Sequence, residues 1–294
     1  MKQLLNNFKN RVIAARWNIG IADLSNDYEL SNIRYLKGGG DFLEYWFADP
    51  FLVDENEESF EIICEEMVCS KGKGRIVRLT VHKKDFCLVH KESILDLKTH
   101  LSFPYPLRVN GNLYIFPENG QSGQQRSYQY NGKLTFSSTL VEDSIYDPVI
   151  FQADGVWWML ATSAPDANGC VLNVYRSDNP LEGYNLSQTI SFNDNIARRA
   201  GCVFYDAKGR LISPAQVCNN YYGEGISLQE IKVDRGEIAI KEIKRISPFG
   251  NMLSPGFHTF NVFSGGKQVI IDGYGYGSRF FHDLYFCVRG LKNK

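Results

Sequence analysis

The sequence lacks the motifs that identify many common enzyme chemistries. It contains no phosphate-binding loop of the GxxxxGK[ST] kind, no HExxH zinc pair and no GxSxG nucleophile turn. The glycine-rich run from Gly273 to Gly277 lacks the third spaced glycine of the dinucleotide fingerprint and opens no helix, so we interpret it as a flexible connection. Any chemistry must therefore come from residues that the fold brings together.

Long apolar runs and an excess of one charge are also missing. No run approaches the roughly 20 apolar residues of a membrane helix, and the first residues lack the apolar core of a secretory signal. The formal net charge is −1 and the basic residues are scattered, which argues against nucleic acid as a partner. The 7 cysteines form no CxxC pair, so we favour reduced thiols in the cytoplasm over a disulfide framework or a zinc site.

A repeat of strand, glycine-containing turn and strand runs through the chain instead. Its five copies begin at Asp49, Tyr105, Asp147, Gly201 and Thr259, so successive starts lie 56, 42, 54 and 58 residues apart. Each step suits one four-stranded blade of a propeller. Aromatic residues make up 13% of the chain, in keeping with pleated, half-buried strands. The pattern predicts an all-β fold, a single five-bladed β-propeller, and favours it over a plain β-sandwich with chance Asp-Pro turns.

The N-terminal segment follows a different pattern. Leu4, Leu5, Phe8, Val12 and Ile13 fall on one helical face, and the accompanying charges are basic, so residues 1–16 are predicted to form a short amphipathic helix. That helix either packs on the propeller or makes a peripheral contact with the inner face of a membrane through residues 2–16. Residues 17–294 are assigned to the propeller, with residues 17–22 forming a strand that completes the last blade.

Carboxylates stand at equivalent positions of the predicted blades. Asp49 and Asp147 head inner strands, and Glu118 follows a return strand, so the three should meet at the central channel. Glycosidic chemistry needs one ionised carboxylate and one protonated carboxyl group, which makes these three the candidate catalytic residues. Turn formation alone is the competing reading for each Asp-Pro pair. Further candidates that should bind the substrate are Trp46, His100, Tyr105, Arg198, Arg199, Gln216, Tyr222, Glu224 and His258.

Two families resemble this chain. Ala48–Leu52 and Tyr146–Ile150 resemble inner strands of the five-bladed propeller glycosidases of glycoside hydrolase family 43 and their relatives, which act largely on furanosides. That resemblance implies that Asp49 is the general base and that Asp147 tunes and orients the acid. It also allows a central calcium near His258, although a hydrogen-bonded histidine is the favoured reading and no cofactor is expected.

A closer resemblance, over most of the chain, is to the N-terminal domain of glucosamine inositolphosphorylceramide transferases and their bacterial relatives. It implies involvement in glycan or glycoconjugate assembly, but the plant members carry a separate transferase domain, so the reaction is left open. The segments that carry it are Phe47–Leu52, His100–Pro106, Tyr114–Asn119, Arg199–Gly201, Gly209–Leu211, Pro214–Cys218, Tyr222–Gly223 and Phe257–Thr259.

One position departs from the family 43 pattern. Those enzymes place a general-acid glutamate at the start of the fourth inner strand, where this chain has Arg198 and Arg199. Arginine cannot act as an acid at neutral pH, so either Glu118 or Glu224 must supply the proton. A guanidinium there also suits an anionic sugar or phosphate, or else a salt bridge from Arg199 to Asp147 or Glu118.

Three functions are consistent with this pattern. The first is hydrolysis or transfer of a glycosyl unit, and the second is transfer from an activated sugar donor in the assembly of bacterial cell-surface polysaccharide or glycoconjugates. The alternative is a non-catalytic glycan-binding propeller. In each case the expected partner is a saccharide or activated sugar, with an anionic group if an arginine binds it.

Overall fold

The computed structural model describes residues 15–39, 44–248 and 256–276, and their dominant element is the β-strand. Two short 3-10 turns, Gly120–Ser122 and Ser264–Gly266, interrupt the strands. The strands are Ala15–Leu24 (β1), Leu30–Tyr35 (β2), Tyr45–Glu55 (β3), Ser59–Val68 (β4), Lys73–His82 (β5), Cys87–Leu95 (β6), Ser102–Val109 (β7), Asn112–Glu118 (β8), Gln125–Tyr130 (β9), Leu134–Val141 (β10), Ile145–Ala153 (β11), Val156–Ser163 (β12), Val171–Ser177 (β13), Asn185–Ser191 (β14), Phe204–Tyr205 (β15), Leu211–Val217 (β16), Gly225–Asp234 (β17), Glu237–Ile246 (β18), Phe260–Phe263 (β19) and Gln268–Tyr276 (β20).

These strands form five antiparallel sheets, which confirms the predicted five-bladed propeller. Four blades use consecutive strands: β3–β6, β7–β10, β11–β14 and β15–β18. The fifth has the order β19-β20-β1-β2, so the N-terminal strands complete the last blade as the sequence predicted. This closure covers sheet edges that would otherwise be open.

The predicted N-terminal helix falls mostly outside the described residues. Ala15 and Arg16, its last two predicted residues, are instead the first residues of β1, where they pair with Tyr276 and Gly275. The membrane contact through residues 2–16 stays a prediction. Within the part of the chain that the structure describes, no helix is long and apolar enough to span a bilayer.

Burial decreases from the inner to the outer strand of a blade. In the third blade, β11 is buried along most of its length, whereas β14 is exposed or half-buried at every position. An inner strand is covered on both faces by neighbouring blades, so it can be apolar almost throughout, while an outer strand faces solvent. Apolar clusters fill the gaps between blades: one joins Phe51, Phe103 and Val149 of the first three blades, and another joins Trp158 and Ile231 of the third and fourth.

A β-bulge at the start of three inner strands directs polar groups towards the propeller axis. These groups are the carboxylates of two aspartates and one backbone N–H. Asp49, Phe103 and Asp147 have φ values of 50°, 39° and 46°, each precedes a proline, and each interrupts the register of its strand pair. The left-handed region is uncommon outside glycine and is least strained for Asp and Asn, so the phenylalanine is the most unusual of the three. These positions correct the predicted repeat, because the second blade matches the others at Phe103-Pro104 and not at Tyr105-Pro106.

Candidate active site

Asp49 lies at the bulge of the first blade and is almost enclosed by donors. Its Oδ2 accepts a hydrogen bond from the backbone N–H of Phe103 at 3.0 Å, and its Oδ1 lies 3.0 Å from the hydroxyl oxygen of Thr259. Only 4% of the residue is exposed. Burial raises the pKa of Asp49 to about 6; the carboxylates of Asp147 and Asp272 add to the shift, and His258 opposes it. Asp49 is therefore a base that ionises within the neutral range.

Asp272 organises the groups beside Asp49. Its Oδ1 accepts the backbone N–H groups of His258 and Thr259 at 2.9 and 3.1 Å, and its Oδ2 accepts the N–H of Asp49 at 3.2 Å. His258 Nδ1 lies 2.6 Å from Asp272 Oδ2, and Nε2 of the same ring lies 3.6 Å from Asp49 Oδ1. Burial opposes the charged imidazole, but Asp272 and Asp49 raise the pKa of His258 above its usual value. The imidazole thus connects two buried carboxylates.

Asp147 occupies the same bulge in the third blade with different partners. Arg198 donates to it from Nε at 2.6 Å and from Nη2 at 3.3 Å, and Gln216 donates from Nε2 at 2.6 Å. The same Nη2 reaches Glu118 at 3.1 Å, and Nη1 reaches Asn168 at 2.9 Å. Arg198 therefore forms the salt bridge to Asp147 and Glu118 that the sequence analysis gave as one alternative for Arg199. Its guanidinium holds two carboxyl groups close together.

Glu118 ends β8 within this group and is 5% exposed. Burial raises the pKa of Glu118 to about 8; the neighbouring Asp147 adds to the shift, and Arg198 opposes it. The carboxyl group of Glu118 is thus protonated at neutral pH, while Asp49 is mostly ionised. As predicted, Asp49, Glu118 and Asp147 lie in one buried cluster with Arg198, Gln216 and His258.

Two further carboxylic residues of the cluster, Glu65 and Asp272, were missed by the sequence reasoning. Glu65 on β4 pairs with Ala48 on β3, just as Glu118 on β8 pairs with Ser102 on β7. Glu65 is therefore the first-blade counterpart of Glu118. Aligning the second strands of the repeat would have found it. Asp272 interrupts the apolar stretch after Ile271, and an acid inside a buried strand is itself a signal of a special environment.

Glu65 lies beside His100, another of the predicted residues. It is 4% exposed, its Oε1 lies 3.4 Å from His100 Nε2, and burial raises its pKa well above the usual range, with Asp49 and Glu118 adding to the shift. Burial lowers the pKa of His100, and Arg198 adds to that shift. Both shifts favour the neutral form of the group.

Aromatic rings surround the cluster on one side. Trp17 of β1 stacks on His258 with ring centroids 3.9 Å apart, and Tyr222 meets the same imidazole edge-on at 5.1 Å. Tyr222 is 39% exposed and also lies 5.3 Å from the Arg198 guanidinium, while Trp46 is half-buried on β3. An exposed ring next to buried carboxylates can stack on a sugar, and the role of Tyr222 in binding one stays a prediction.

Arg199 and Tyr105 do not face the cluster, contrary to prediction. Arg199 is fully buried and donates to the carbonyls of Ile196 and Ala197 and to the hydroxyl of Ser213. It cannot bind an anionic ligand there. Tyr105 packs against Phe51 and donates its hydroxyl to a backbone carbonyl, so it belongs to the core between blades.

Glu224 also lies outside the cluster. Its two carboxylate oxygens accept hydrogen bonds from the backbone N–H and the side-chain amide of Asn220 at 2.9 and 2.8 Å. Both oxygens therefore stabilise a local turn. These contacts give no support to the prediction that Glu224 could replace Glu118 as the acid.

A metal ion would compete with protein donors at this site. Asp49, His258 and Asp272 offer ligand atoms within 4.8 Å of one another. Calcium takes six to eight oxygen ligands, yet here both oxygens of Asp272 accept backbone N–H groups, and those of Asp49 face Phe103 and Thr259. An ion there would have to share the oxygens of Asp49 and Asp272 with these donors, and a calcium ion stays a prediction.

Comparisons with known proteins agree with this architecture. The sequence profile described as "Glucosamine inositolphosphorylceramide transferase 1, N-terminal" matches residues 39–249. Glucosamine inositolphosphorylceramide transferase 1 of Oryza sativa subsp. japonica is 23% identical over 252 residues, which cover 80% of this chain and 34% of the rice protein. The protein of that name from Arabidopsis thaliana is 29% identical over 156 residues, covering 47% of this chain and 19% of its own length. The chain thus spans about a third of the length of the rice relative.

Solved structures with a similar fold are glycosidases. The catalytic domain of the Coprinopsis cinerea family 62 α-L-arabinofuranosidase matches with a TM-score of 0.56 and 8% identity, over 75% of this chain and 78% of that one. A family 43 β-1,3-galactosidase with galactodeoxynojirimycin matches with a TM-score of 0.54 and 10% identity, over 75% and 84%. At these identities the likeness is one of fold. The family itself follows from the sequence match: this chain belongs to the glucosamine inositolphosphorylceramide transferase 1 N-terminal family.

Proposed function

We propose that this protein is a carbohydrate-active enzyme that hydrolyses or transfers a glycosyl group at the axial carboxylate cluster. The observation that carries the proposal is the difference in proton affinity within that cluster. Asp49, with a pKa of about 6, is available as base or nucleophile, while Glu118, with a pKa of about 8, keeps its proton. The cluster thus holds ionised and protonated carboxyl groups side by side, and glycosidic bond chemistry needs both states.

The role of each remaining group follows from its contacts. Asp147 is fixed by Arg198 and Gln216, so it can orient a neighbouring carboxyl group and hold the local charge constant. His258 and Thr259 hold Asp49 in one orientation, which limits the reorganisation needed when a proton moves. Tyr222 and Trp46 supply rings for a sugar. An anionic substrate is not part of the proposal, because Arg198 already contacts protein acceptors through Nε, Nη1 and Nη2.

The biological setting is a broader part of the proposal. Membership of the family and the names of the rice and Arabidopsis relatives support glycoconjugate assembly, with a saccharide or an activated sugar as substrate. A role in bacterial cell-surface polysaccharide assembly, in the cytoplasm, is the specific form that we favour. The alternative is a propeller that binds a glycan without reacting.

A turnover assay with a parallel binding measurement tests the proposal. The protein is incubated with aryl furanosides and pyranosides and with nucleotide-sugar donors, and release of aglycone or nucleotide is followed while calorimetry records binding. Release of aglycone supports hydrolysis or glycosyl transfer, and release of nucleotide supports an activated donor. Saturable binding of a glycan with no release across the panel would contradict the proposal and support the binding propeller.

A further inference from the structure

Glu65 is a buried carboxyl group without a compensating cation. Its side chain is 6% exposed, and within the described residues no lysine or arginine forms an ion pair with it. Its Oε1 is buried and has no hydrogen-bond partner in the same part of the chain. The charged groups that act on it are acidic: Asp49, Glu118, Asp147 and Asp272. An isolated ionised carboxylate is strongly disfavoured in such a place, so these surroundings favour the protonated acid.

The imidazole of His100 is oriented towards Glu65 in one tautomer. Its Nδ1 accepts the backbone N–H of Gly74 at 3.0 Å, so the neutral ring must carry its proton on Nε2. That nitrogen lies 3.4 Å from Glu65 Oε1, a separation that would shorten if the carboxyl group became charged. The His100 side chain is 25% exposed, so it lies between Glu65 and solvent.

The backbone of β5 packs directly against Glu65 and His100. A Cβ atom at Gly74 would lie 2.4 Å from Glu65 Oε1, 2.4 Å from the carbonyl oxygen of Leu101 and 2.9 Å from a carbon of the His100 ring. Glycine at this position allows the strand to approach both side chains and to donate its N–H to the imidazole. Gly74 therefore fixes the geometry of the pair.

Glu118 is less suited than Glu65 to release a proton. Arg198 Nη2 lies 3.1 Å from Glu118 Oε2, and the same guanidinium holds Asp147, so the carboxyl group of Glu118 is held in place by a protein partner. A proton donor should be free to turn its hydroxyl towards a substrate, and it should gain a stabilising contact once it is charged. Glu65 meets both conditions through its unpartnered oxygen and His100.

Resting on the proposed function, we propose that Glu65 is the catalytic acid of the site and that His100 is its positioning residue. The Glu65 O–H bond breaks as its proton moves to the glycosidic oxygen. The bond from that oxygen to the anomeric carbon breaks at the same time, and its electron pair leaves with the oxygen as an alcohol. The anomeric carbon takes either a nucleophile deprotonated by Asp49 or Asp49 itself. The Nε2–H of His100 then stabilises the new Glu65 carboxylate.

Leaving-group dependence distinguishes an acid from a residue that only shapes the site. Glu65→Gln and the matched control Glu118→Gln are compared on phenyl and 2,4-dinitrophenyl glycosides of one sugar. For Glu65→Gln we expect kcat/KM on the phenyl glycoside to fall about 10²–10⁴-fold, with little change on the dinitrophenyl glycoside, which needs no proton to leave. Glu118→Gln should affect both substrates equally. Equal loss on both substrates for Glu65→Gln, or no loss on either, would overturn the assignment.

Infrared difference spectra test the protonation state without any substrate. At pH 7, Glu65→Gln should remove a carbonyl band of a protonated carboxyl group, and its persistence would show that Glu65 is ionised and contradict the proposal. If the band is lost in Glu65→Gln but the wild-type protein turns over no glycoside, Glu65 is protonated as stated. Both the proposed function and the catalytic role of Glu65 would then be wrong.

His100→Gln tests the positioning role separately. Glutamine can still accept the N–H of Gly74 but presents no imidazole to Glu65. We expect kcat on the phenyl glycoside to fall while KM changes little, and the alkaline limb of the pH–rate profile to move. A change confined to KM, with the profile unmoved, would mean that His100 only contacts the substrate.

Discussion

Asp49 and Asp147 share one backbone environment and have different chemistry. Both precede a proline, both have φ near 50°, and both occupy the bulge at which an inner strand begins. Asp147, however, is paired with Arg198 and Gln216, whereas Asp49 faces Thr259, the N–H of Phe103 and a histidine at 3.6 Å. A guanidinium gives a strong, fixed ion pair, while neutral donors and a shared imidazole leave a carboxylate able to take up a proton.

The comparison shows how a repeated fold produces an asymmetric site. The propeller repeats the bulge and so delivers a similar backbone to the axis from each of three blades. The residues that differ between blades then set the proton affinity of each carboxyl group. Asp49 is accordingly expected to govern the reaction rate, and the group around Asp147 is expected to govern stability.

Replacing Asp49 should give the largest effect, and it should appear in the rate. Asp49→Asn keeps the shape of the side chain and removes the base, so turnover should fall about 10²–10⁴-fold while the free energy of unfolding changes little. The control is Asp54→Asn, the same change at an exposed position of the same strand. Steady-state kinetics and urea unfolding measure the two quantities. Unchanged turnover would remove Asp49 from the mechanism.

Removing the guanidinium of Arg198 should appear mainly as lost stability. Arg198→Met leaves the buried carboxylate of Asp147 without its cation and removes a donor to Glu118, and breaking a buried pair in this way costs about 3–5 kcal/mol. Arg245→Met is the matched control, because Arg245 also bridges two acids but at the surface, where about 1 kcal/mol or less is expected. Equal losses in urea unfolding would show that the axial ion pair is no stronger than a surface one.

The pH dependence of stability should give a smaller but directional effect. Glu118 has a raised folded pKa of about 8, so the folded protein binds more protons than the unfolded chain between pH 4.5 and 8. Its contribution is full below the unfolded pKa and is lost as pH rises through about 8. The slope between pH 6 and 8 is at most about 1.4 kcal/mol per pH unit for one proton.

Glu118→Gln identifies the source of that slope. Urea unfolding at several pH values between 6 and 8 should give a falling free energy of unfolding for the wild type and a flatter profile for the variant. The raised pKa of His258 acts in the same direction, so some slope should remain. A wild-type profile that rises with pH in this range would contradict the protonated state assigned to Glu118.

The sequence predicted the number of blades and the meeting of Asp49, Glu118 and Asp147. It did not predict which of two neighbouring residues would face the cluster. Arg198 and Arg199 are adjacent, yet only Arg198 reaches the carboxylates, while Arg199 donates to backbone carbonyls. Both lie in the irregular segment between β14 and β15, where no strand periodicity marks which residue faces the cluster. A related ambiguity affects the second blade. In sequence Tyr105-Pro106 looks like the other Xaa-Pro pairs, and only the φ value of Phe103 shows that the bulge lies at Phe103-Pro104.

Two acids of the cluster lie on second strands, whereas the Asp-Pro pattern marks only the starts of inner strands. Glu65 and Asp272 lie where a return strand comes back to the axis, and each is an acid within a buried stretch. Their role depends on which blade lies next to which, since Asp272 contacts Asp49 through the junction of the fifth and first blades. That adjacency follows from closure of the ring by β1, which had been predicted, so the contact could have been inferred from it.

Closure of the fifth blade also has a consequence for synthesis on the ribosome. Trp17, near the start of the chain, and Asp272, near its end, contact the same imidazole of His258. β1 can pair with β2 as soon as both have been synthesised, but its other neighbour, β20, follows only after four other blades have been made. Contacts so distant along the chain form late in folding. A nascent protein therefore has folded blades before it has the surroundings that define Asp49, and the site is complete only once β20 has joined β1.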